Sequence, residues 1–421
     1  MTANESPERT LGINGLGRIG KLSLWHHVER KYFSRVVVNV GREVGPDLET
    51  LCSVIEKDST YGSMHRFLFG ANAAPCIRIV DREKRLLEVA DVPVTVLQTA
   101  RNPRDIGWRD HAARVVVDTT GAFGDPTASA EEERGSLRGH LDAGTEVVIN
   151  SAAFKIKDKS KSLPDDAVTL IYGCNHDLFD PARQRVVSAA SCTTTALAHM
   201  VKPLLDHLRD STLMTASMST VHAATNSQTL LDTVPKAGAK DLRRSRSSLN
   251  SIILTSSNAA HALEEVIPEI REIGFMADSV RIPIPTESLI ILNLTFQTQI
   301  GTDGRSSVNN TLLNQIYREA SSGTQKGQLV YSEEQNVPAD VSGMRAAVVI
   351  EATETHTRTG FVDFDLAHVP DVDPRVLEGL GNPMIRVPVT HAKIFGWYDN
   401  EYGSYTNMLG DLTVHVHRTL D

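Results

Sequence analysis

The feature that most constrains the fold is a glycine-rich turn near the N-terminus. A short apolar run at residues 10–14 leads into Gly15-Leu-Gly17-Arg-Ile-Gly20, and a helix-like run, KLSLWHHVERKYF, follows it. A second apolar run at 36–40 completes a unit of strand, glycine turn, helix and strand. This order is typical of a mononucleotide-binding unit in a parallel sheet. It therefore predicts an α/β fold with an N-terminal, Rossmann-like, dinucleotide-binding domain.

The three glycines predict how the turn meets the dinucleotide. Gly15 permits the tight turn, Gly17 lets the pyrophosphate approach the backbone, and Gly20 allows the helix to pack closely against the strand. The N-terminus of the helix would then face the phosphates. Because glycine turns are common, the motif alone is weak evidence, but its place between a strand and a helix strengthens it.

The pattern of apolar runs changes near residue 190. Before that point strands and helices alternate, which favours a mostly parallel sheet. After it, the run at 213–222 is rich in Met, Thr and Ser, and the runs at 280–285 and 289–298 alternate as antiparallel strands do. The further strands predicted in the first part are residues 77–80, 92–97, 115–117, 147–150 and 168–172.

This change predicts two domains. We expect an NAD(P)-binding domain at 1–190 and a C-terminal α+β domain with a mixed or antiparallel sheet at 191–397. The segment 398–421 is expected to pack back on the first domain. Three stretches have the composition of surface loops, namely 155–166, 297–305 and 361–386.

Composition excludes several classes of protein. A net charge of −9 and a pI of about 5.9 give the chain no general attraction to nucleic acid or anionic lipid. The four cysteines are scattered without metal-ligand spacing, so we expect free thiols in a reducing compartment and no metal site. The polar N-terminus does not resemble a signal peptide, and the apolar stretches are too short to span a membrane. We therefore expect a cytoplasmic protein.

The end of the second predicted strand departs from the usual dinucleotide-binding pattern. An Asp or Glu there normally binds the adenosine ribose, but this chain reads Asn39-Val-Gly-Arg42, with Glu43 as the first carboxylate. Arg42 could pair with a 2′-phosphate, or it could be a solvated turn residue. We therefore expect NAD or NADP as cofactor, with dual use or a preference for NADP.

A second candidate centre is Cys192, where a predicted strand meets the start of a helix. The positive end of the helix dipole would lower the pKa of its thiol and favour a reactive thiolate. The alternative is an inert buried residue, which is the commoner fate of a single cysteine. His222 follows thirty positions later, in STVHAATN, and could serve as base to a cysteine nucleophile. The residues alone do not reveal whether the two side chains meet.

Seven sequence blocks together resemble the glyceraldehyde-3-phosphate dehydrogenase family, in its phosphorylating, long bacterial type. The blocks occur in the family's order over nearly the whole chain and are much more specific together than singly. They are LGINGLGRIGK (11–21), KDSTYG (57–62), SAASCTTTALAHMVKPL (188–204), STVHAATNSQ (219–228), DLRRSRSSLNSII (241–253), VRIPIP (280–285) and WYDNEYG (397–403).

The resemblance implies oxidation of glyceraldehyde 3-phosphate to 1,3-bisphosphoglycerate, with hydride transfer to NAD(P) and a thiohemiacetal and thioester on the cysteine. It makes Cys192 the nucleophile, His222 the base and the second domain catalytic. The implied cofactor-binding residues are Gly15, Gly17, Arg18, Ile19, Gly20, Arg42, Thr120 and Asn400, of which Asn400 orients the nicotinamide. The residues implied to bind the substrate phosphate and the attacking inorganic phosphate are Ser191, Thr193, Thr225, Arg246, Ser257 and Arg281. It further implies a homotetramer, in which the segment 230–248 reaches a neighbouring subunit's cofactor site.

Several positions depart from the family pattern. Thr195 replaces an asparagine, Ser227 replaces an acid, and Ser257-Asn258 replaces a Thr-Gly pair. An asparagine in place of glycine adds a side chain beside one predicted phosphate site. The nucleophile and base remain, but the phosphate-dependent step and the substrate stay open.

Two alternatives therefore remain. The chain could oxidise a related phosphorylated aldehyde, such as erythrose 4-phosphate, or hydrolyse the thioester without phosphate. It could also be a regulatory paralogue with little turnover. The presence of Cys192, His222, Arg281 and Asn400 together argues against the regulatory alternative.

Overall fold

A computed structural model describes residues 9–98, 100–208 and 213–421. Within these ranges the chain forms two large sheets and a two-stranded ribbon, with helices packed around them. The strands are β1 (Thr10–Asn14), β2 (Arg35–Asn39), β3 (Lys57–Asp58), β4 (Gly62–Ser63), β5 (Ile77–Asp81), β6 (Leu86–Val89), β7 (Val92–Leu97), β8 (Ala113–Asp118), β9 (Val147–Asn150), β10 (Ala167–Thr169), β11 (Val186–Ser188), β12 (Leu213–His222), β13 (Ile253–Ser256), β14 (Gly274–Arg281), β15 (Ser288–Gln297), β16 (Leu329–Ser332), β17 (Val348–Glu351), β18 (His356–Asp365) and β19 (Met384–Tyr398).

The helices lie mostly between strands. The α-helices are α1 (Arg18–Arg30), α2 (Leu48–Glu56), α3 (Met64–Phe69), α4 (Leu137–Asp142), α5 (Cys192–His207), α6 (Ala259–Val266), α7 (Asn310–Ser322), α8 (Pro338–Val341), α9 (Pro374–Leu380) and α10 (Asn407–Thr419). Short 3₁₀ helices lie at Pro103–Asp105, Arg109–His111, His176–Leu178, Leu242–Ser245, Pro268–Glu272, Ala352–Glu354 and Leu366–His368, and a π-helical turn lies at Tyr402–Thr406. None of the helices in the described ranges is long and apolar enough to cross a membrane.

The first sheet contains the apolar runs of the N-terminal part. Its strand order is β10-β11-β9-β8-β1-β2-β7-β6-β5, parallel from β10 to β7 and antiparallel from β7 to β5. Leu11 and Ile13 of β1 pack into the main core of this sheet, and Val37 and Val116 of its neighbours pack into a second cluster around Trp108. Burial of both faces is characteristic of parallel sheets and explains the unbroken apolar runs. The predicted α/β fold is confirmed.

The glycine turn has the geometry that its three glycines predict. Gly15 has a φ of +99°, a left-handed conformation that side chains rarely adopt. A Cβ on Gly20 would overlap the Gly15 carbonyl oxygen, because α1 begins directly against the turn. A Cβ on Gly17 would meet no described atom within 4 Å, so this part of the backbone faces open space.

The second sheet is mixed, as predicted. Its strand order is β13-β14-β12-β15-β19-β17-β16, and β18 also pairs with β19. β12 runs parallel to β14 and antiparallel to β15, which in turn is antiparallel to β19. The strand expected at 280–285 is displaced, since β14 ends at Arg281. Pro283 and Pro285 have no N–H group to donate, so the strand cannot continue through them.

The C-terminal helix α10 belongs to the core of the first sheet although it follows the second sheet in the chain. Its Leu409, Leu412 and Val416 are buried there with Tyr402 and Tyr405. A separate core underlies the second sheet. These two cores support the division at 1–190, 191–397 and 398–421, which we keep as a proposal.

The stretch 361–386 is not the loop that its composition predicts. Its ends continue β18 and β19 as an antiparallel pair, from Phe361 opposite Pro388 to Asp365 opposite Met384, and α9 lies in between. Backbone pairing satisfies the polar groups of this exposed hairpin without a core, so a polar composition does not exclude strands. The stretches 155–166 and 297–305 are exposed for most of their length, and apart from Gln297, the last residue of β15, they contain no regular helix or strand.

Buried histidines of α1 predict loss of stability in acid. Neither ring nitrogen of His27 has a hydrogen-bond partner in the described residues, and burial, followed by the charge of Arg30, lowers its pKa to about 3. An unfolded histidine titrates near pH 6.5, so the unfolded state binds the proton first as pH falls. The free energy of unfolding is therefore unaffected by this group above about pH 6.5. Below that pH the group lowers the free energy of unfolding by up to about 1.4 kcal/mol per pH unit.

His27→Leu should make that decline less steep, which urea unfolding at pH 7, 6 and 5 would measure. His261→Leu is the matched control because its side chain is 80% exposed. Equal pH dependence in wild type and His27→Leu would show that His27 is not a source of the acid sensitivity.

Candidate active site

Four strand ends of the second sheet bring polar residues to one edge. The strands β14, β12, β15 and β19 are neighbours in that order. β12 ends at His222, which lies opposite Arg281 at the end of β14 in the parallel register. The antiparallel β15 begins at Ser288 on the same edge, and Asn400 follows the end of β19. Residues far apart in sequence therefore share this edge because of strand direction alone.

Cys192 reaches the same edge from the turn between β11 and α5. Ala190 in this turn has a left-handed φ of +54°, and Ser191 caps the helix by accepting a hydrogen bond from Thr194 N–H at 3.2 Å. Cys192 is the first residue of α5 and contacts both large cores. Its Sγ lies 3.7 Å from His222 Nε2. The structure thus brings together the predicted cysteine and histidine.

Hydrogen bonds around His222 select one tautomer of its ring. Nδ1 lies 2.8 Å from the Ala223 carbonyl oxygen, which can only accept, so Nδ1 carries the proton. Nε2 is then an acceptor, and Asn400 Nδ2 donates to it across 3.2 Å. Arg281 Nη1 also contacts Nδ1, and a guanidinium can only donate, so this contact opposes a proton on Nδ1. The Ala223 and Asn400 contacts both favour that proton, and Arg281 then donates to the Ala223 carbonyl at 3.3 Å instead. With Nε2 unprotonated, His222 can take a proton from the Cys192 thiol.

Burial keeps the Cys192–His222 pair neutral. It raises the pKa of the Cys192 thiol, against the opposite effects of Asn400, Arg281 and the Thr193 backbone. Burial is also the main cause that lowers the pKa of His222 to about 3, with the charge of Arg281 second. The sequence predicts that the helix N-terminus lowers the pKa of the thiol. In the structure burial has the larger effect, and the pKa is raised. At neutral pH a thiol therefore lies beside an uncharged imidazole.

Ser288 fixes the orientation of the Asn400 amide, and no sequence pattern indicated it. Its Oγ accepts from Ala223 N–H at 3.0 Å and therefore donates its own proton to Asn400 Oδ1, 2.8 Å away. With Oδ1 turned to Ser288, Nδ2 faces His222 Nε2 and Cys192 Sγ, at 3.2 and 3.8 Å. A serine at the start of a strand is too common to carry a functional signal, so only the fold reveals this contact.

Tyr398 is a second residue that sequence reasoning missed. Its hydroxyl lies 2.9 Å from Thr193 Oγ1 and 2.8 Å from Thr220 Oγ1, and its ring packs edge-on against His222. The tyrosine therefore links the start of α5 to the end of β12 and holds the cysteine and histidine side by side.

A cavity of about 570 Å³ joins the glycine turn to Cys192. The predicted cofactor-binding residues that line it are Gly17, Arg18, Ile19, Thr120 and Asn400. Since a Cβ on Gly17 would point into open space, a pyrophosphate can approach the backbone at the N-terminus of α1. The residues present therefore fit a nicotinamide dinucleotide.

Five of the six residues predicted to bind phosphate line the same cavity. They are Ser191, Thr193, Thr225, Ser257 and Arg281. Arg246 is not among them, because its guanidinium pairs with Asp232 at 2.9 Å and its side chain is 68% exposed. Lys155, from a stretch predicted as a surface loop, adds a cation to the cavity, and Asn258 also lines it.

A second cavity of about 530 Å³ lies on the other side of the glycine turn, at the end of β2. Gly15, Asn39, Arg42 and Thr120 line it, and no carboxylate of the described residues does. Asn39 Nδ2 donates to Asn14 Oδ1 and to the Ala100 carbonyl, so its amide nitrogen is occupied within the protein. Arg42, three residues after the end of β2, lines this cavity.

Comparison with known proteins agrees with this arrangement. The family model for the NAD-binding domain of glyceraldehyde 3-phosphate dehydrogenase matches residues 9–126, and the model for the C-terminal domain matches residues 191–364. The glyceraldehyde-3-phosphate dehydrogenase of Streptomyces coelicolor is 31% identical over 96% of this chain and 98% of its own length. Glyceraldehyde-3-phosphate dehydrogenase 2 of Streptomyces arenae is 32% identical over 97% and 99%, and the enzyme of Priestia megaterium 30% over 96% and 97%. With this near full-length similarity, the chain belongs to the glyceraldehyde-3-phosphate dehydrogenase family of oxidoreductases.

Proposed function

We propose that this chain oxidises glyceraldehyde 3-phosphate to 1,3-bisphosphoglycerate, with inorganic phosphate and NAD or NADP as co-substrates. The observation that carries the proposal is the contact between Cys192 and His222, whose reacting atoms are 3.7 Å apart. The pair opens into a cavity that extends from the glycine turn to a group of hydroxyl and cationic side chains.

The first half of the proposed reaction forms a covalent adduct. His222 Nε2 takes the thiol proton as Cys192 Sγ bonds to the aldehyde carbon, which gives a thiohemiacetal. The Cys192 backbone N–H and the protonated His222 stabilise the oxyanion, and His222 then protonates it. A nicotinamide dinucleotide, which Gly17, Arg18 and Asn400 would hold, would supply the acceptor for the hydride of the adduct carbon. His222 takes back the hydroxyl proton as the thioester carbonyl forms.

The second half releases the product. An oxygen of inorganic phosphate attacks the thioester carbon, the carbon–sulfur bond breaks, and Cys192 leaves as a thiolate that regains a proton. The product is an acyl phosphate. Asn400 lies beside both reacting groups, so it is placed to hold the nicotinamide ring close to the sulfur during hydride transfer.

The reaction needs two sites for anions, one for the substrate phosphate and one for the attacking phosphate. Arg281 offers a partly buried guanidinium next to His222, and Ser191, Thr193 and Thr225 offer hydroxyl groups. Arg246 would join them only after its exposed ion pair with Asp232 opens. A neighbouring subunit that packs on this loop would favour such a change.

We also propose a cytoplasmic homotetramer. The support for an oligomer is the segment 230–248, which leaves Leu230, Leu231 and Val234 64, 65 and 91% exposed. Large apolar side chains that are this exposed in one chain are typical of an interface.

Oxidation of a different phosphorylated aldehyde, or hydrolysis in place of phosphorolysis, is the second candidate. Asn258 favours it, because its side chain lines the cavity where the family has a glycine. Thr195, the other notable departure, is buried away from that cavity and does not alter the reacting surface. A regulatory paralogue is the third candidate, and the assembled Cys192–His222 pair argues against it.

A steady-state assay tests the proposed reaction. Wild type should reduce NAD(P) with glyceraldehyde 3-phosphate only in the presence of inorganic phosphate, and Cys192→Ser should lower kcat by at least about 10³-fold. Cys76→Ser is the matched control, since this thiol lies outside the cavity. Because no described carboxylate lines the cavity near Arg42, kcat/KM for NADP should equal or exceed that for NAD.

Each failure has its own meaning. Phosphate-independent turnover would favour an enzyme that hydrolyses the thioester. Faster turnover of erythrose 4-phosphate than of glyceraldehyde 3-phosphate would show that the proposed substrate is wrong. Complete inactivity of folded protein with both aldehydes would favour the paralogue.

Reactivity of Cys192 should rise with pH. A thiol whose pKa is raised by burial is mostly protonated at pH 7, so the thiolate fraction grows through the alkaline range. We expect the rate of Cys192 alkylation by iodoacetamide, measured by peptide mass spectrometry, to increase from pH 6 to 9.5. A plateau below pH 7 would contradict the neutral pair and indicate a preformed thiolate–imidazolium pair.

Two glycine variants separate cofactor binding from folding. Gly17 has a φ of −73°, which alanine adopts freely, and its Cβ would enter the cavity. Gly17→Ala should keep the melting temperature and weaken dinucleotide binding by roughly ten-fold, since a methyl group replaces open backbone at the phosphates. Gly20→Ala should instead lower the melting temperature, because its Cβ overlaps the Gly15 carbonyl. Unchanged dinucleotide affinity in Gly17→Ala, measured by calorimetry, would place the cofactor elsewhere.

A further inference from the structure

Glu287, the residue before Ser288, has three features that are each energetically unfavourable for a glutamate. It lies in the connection between β14 and β15, and only 1% of it is exposed. Both carboxyl oxygens are buried without a hydrogen-bond partner of normal geometry among the described residues. Its backbone φ is +67°, in the left-handed region that a glutamate rarely occupies. Such strain persists only where the surroundings enforce it, and it is often functional.

The groups that face Glu287 are mainly acidic. Asp399 and Glu401, from the connection after β19, both raise its pKa, but burial is the largest cause, and the result is a pKa of about 9. The Ser342 hydroxyl after α8 opposes this shift. Arg18 of α1 does not neutralise Glu287, because it forms an ion pair with Glu401.

Asp399 is already saturated with hydrogen-bond donors. It accepts from the Tyr61 hydroxyl at 2.5 Å, the Thr286 hydroxyl at 3.2 Å and the backbone N–H groups of Glu401, Gly403 and Gly343 at 2.9–3.0 Å. Asp58, another acid that faces Glu401, pairs with Lys21 at 2.7 Å. Asp399 and Asp58 therefore have their own donors, whereas Glu401 keeps one oxygen without a partner among the described residues, and burial raises its pKa to about 7. The pKa of Glu287 is raised further, which favours its protonated form at neutral pH.

Glu287 is connected to the Asn400 amide from two directions. Along the chain it precedes Ser288, whose hydroxyl donates to Asn400 Oδ1 at 2.8 Å. Through space, its two chain neighbours bind it to the segment that carries Asn400, because Ser288 pairs with Tyr398 across the sheet and the Thr286 hydroxyl donates to Asp399. A movement of the Glu287 side chain would thus shift both partners of the Ser288–Asn400 hydrogen bond, and with it the amide that faces Cys192 and His222.

We propose that Glu287 is a positioning residue for Asn400. As a fully buried side chain in the turn that carries Ser288, it holds that turn against the segment that carries Asn400. Its effect on turnover rests on the proposed function, whereas its effect on the Cys192 thiol does not. Ionisation of Glu287 in alkaline solution would add a third negative charge to this region, push the two segments apart and misalign the amide.

The test compares two substitutions at this position. Glu287→Gln keeps the shape and the neutral state, and should stay within about two-fold of wild type in kcat. Glu287→Ala removes the packing and should lower kcat by roughly ten-fold, with KM for glyceraldehyde 3-phosphate within two-fold, since orientation and not binding is lost. Glu378→Gln is the matched control, because Glu378 lies on the exposed helix α9. Glu287→Asn, which tolerates the left-handed backbone, replaces the alanine variant if that protein does not fold.

Alkylation of Cys192 by iodoacetamide at pH 7.5 provides a readout that needs no turnover. Asn400 lowers the pKa of the thiol, so Glu287→Ala should slow alkylation by roughly ten-fold and Glu287→Gln should restore it. Glu287→Gln should also remove a decline of kcat that wild type shows above about pH 9.

Three results would overturn the proposal. One is normal alkylation in folded Glu287→Ala, and another is equal impairment in the glutamine and alanine variants. The third is the same alkaline decline in wild type and Glu287→Gln. If no variant turns over any aldehyde, the proposed function fails, while the alkylation rates still decide the role of Glu287.

Discussion

The hydrogen bond between His222 and the Ala223 carbonyl determines what the candidate active site can do. A carbonyl oxygen can only accept, so it assigns the proton to Nδ1 and leaves Nε2 as a base toward Cys192. The Ala223 N–H donates to the Ser288 hydroxyl, the hydroxyl donates to Asn400 Oδ1, and Asn400 Nδ2 donates to His222 Nε2. The carbonyl and the N–H of Ala223, the residue after β12, therefore set these proton positions together, and their placement depends on the register of the second sheet.

This arrangement favours chemistry that starts from uncharged groups. The cavity contains the cations Arg18, Lys155 and Arg281, but its nucleophile and base are both neutral when at rest. Cations near a neutral pair attract anionic substrates, although Arg18 is already paired with Glu401, which also lines the cavity. Asp399 has its own hydrogen-bond donors. Because Arg18 is paired with Glu401, it is not available as a charge partner for Glu287.

Much of the fold could be predicted from the residues because local patterns there have few solutions. The glycine turn requires a strand before it and a helix after it, and apolar runs such as Val147–Asn150 became strands with the expected bounds. The apolar pattern does not predict the end of β14, because the prolines at 283 and 285 end the backbone pairing although the apolar run continues. The hairpin at 361–386 was missed because backbone pairing stabilises it in spite of a polar composition. Cys192 and His222 were found by motif and resemblance, whereas Ser288, Tyr398 and Glu287 act through register and burial, which no short pattern records.

The path of α10 has a consequence for how the chain assembles. The helix completes the apolar core beneath the first sheet, yet it is synthesised only after every strand of the second sheet. A nascent N-terminal half would therefore have strands and glycine turn in place but an open hydrophobic face where Leu409, Leu412 and Val416 belong. Asn400 arrives with that same final segment. Closure of the first core and completion of the hydrogen bonds around Cys192 and His222 thus depend on the same C-terminal segment.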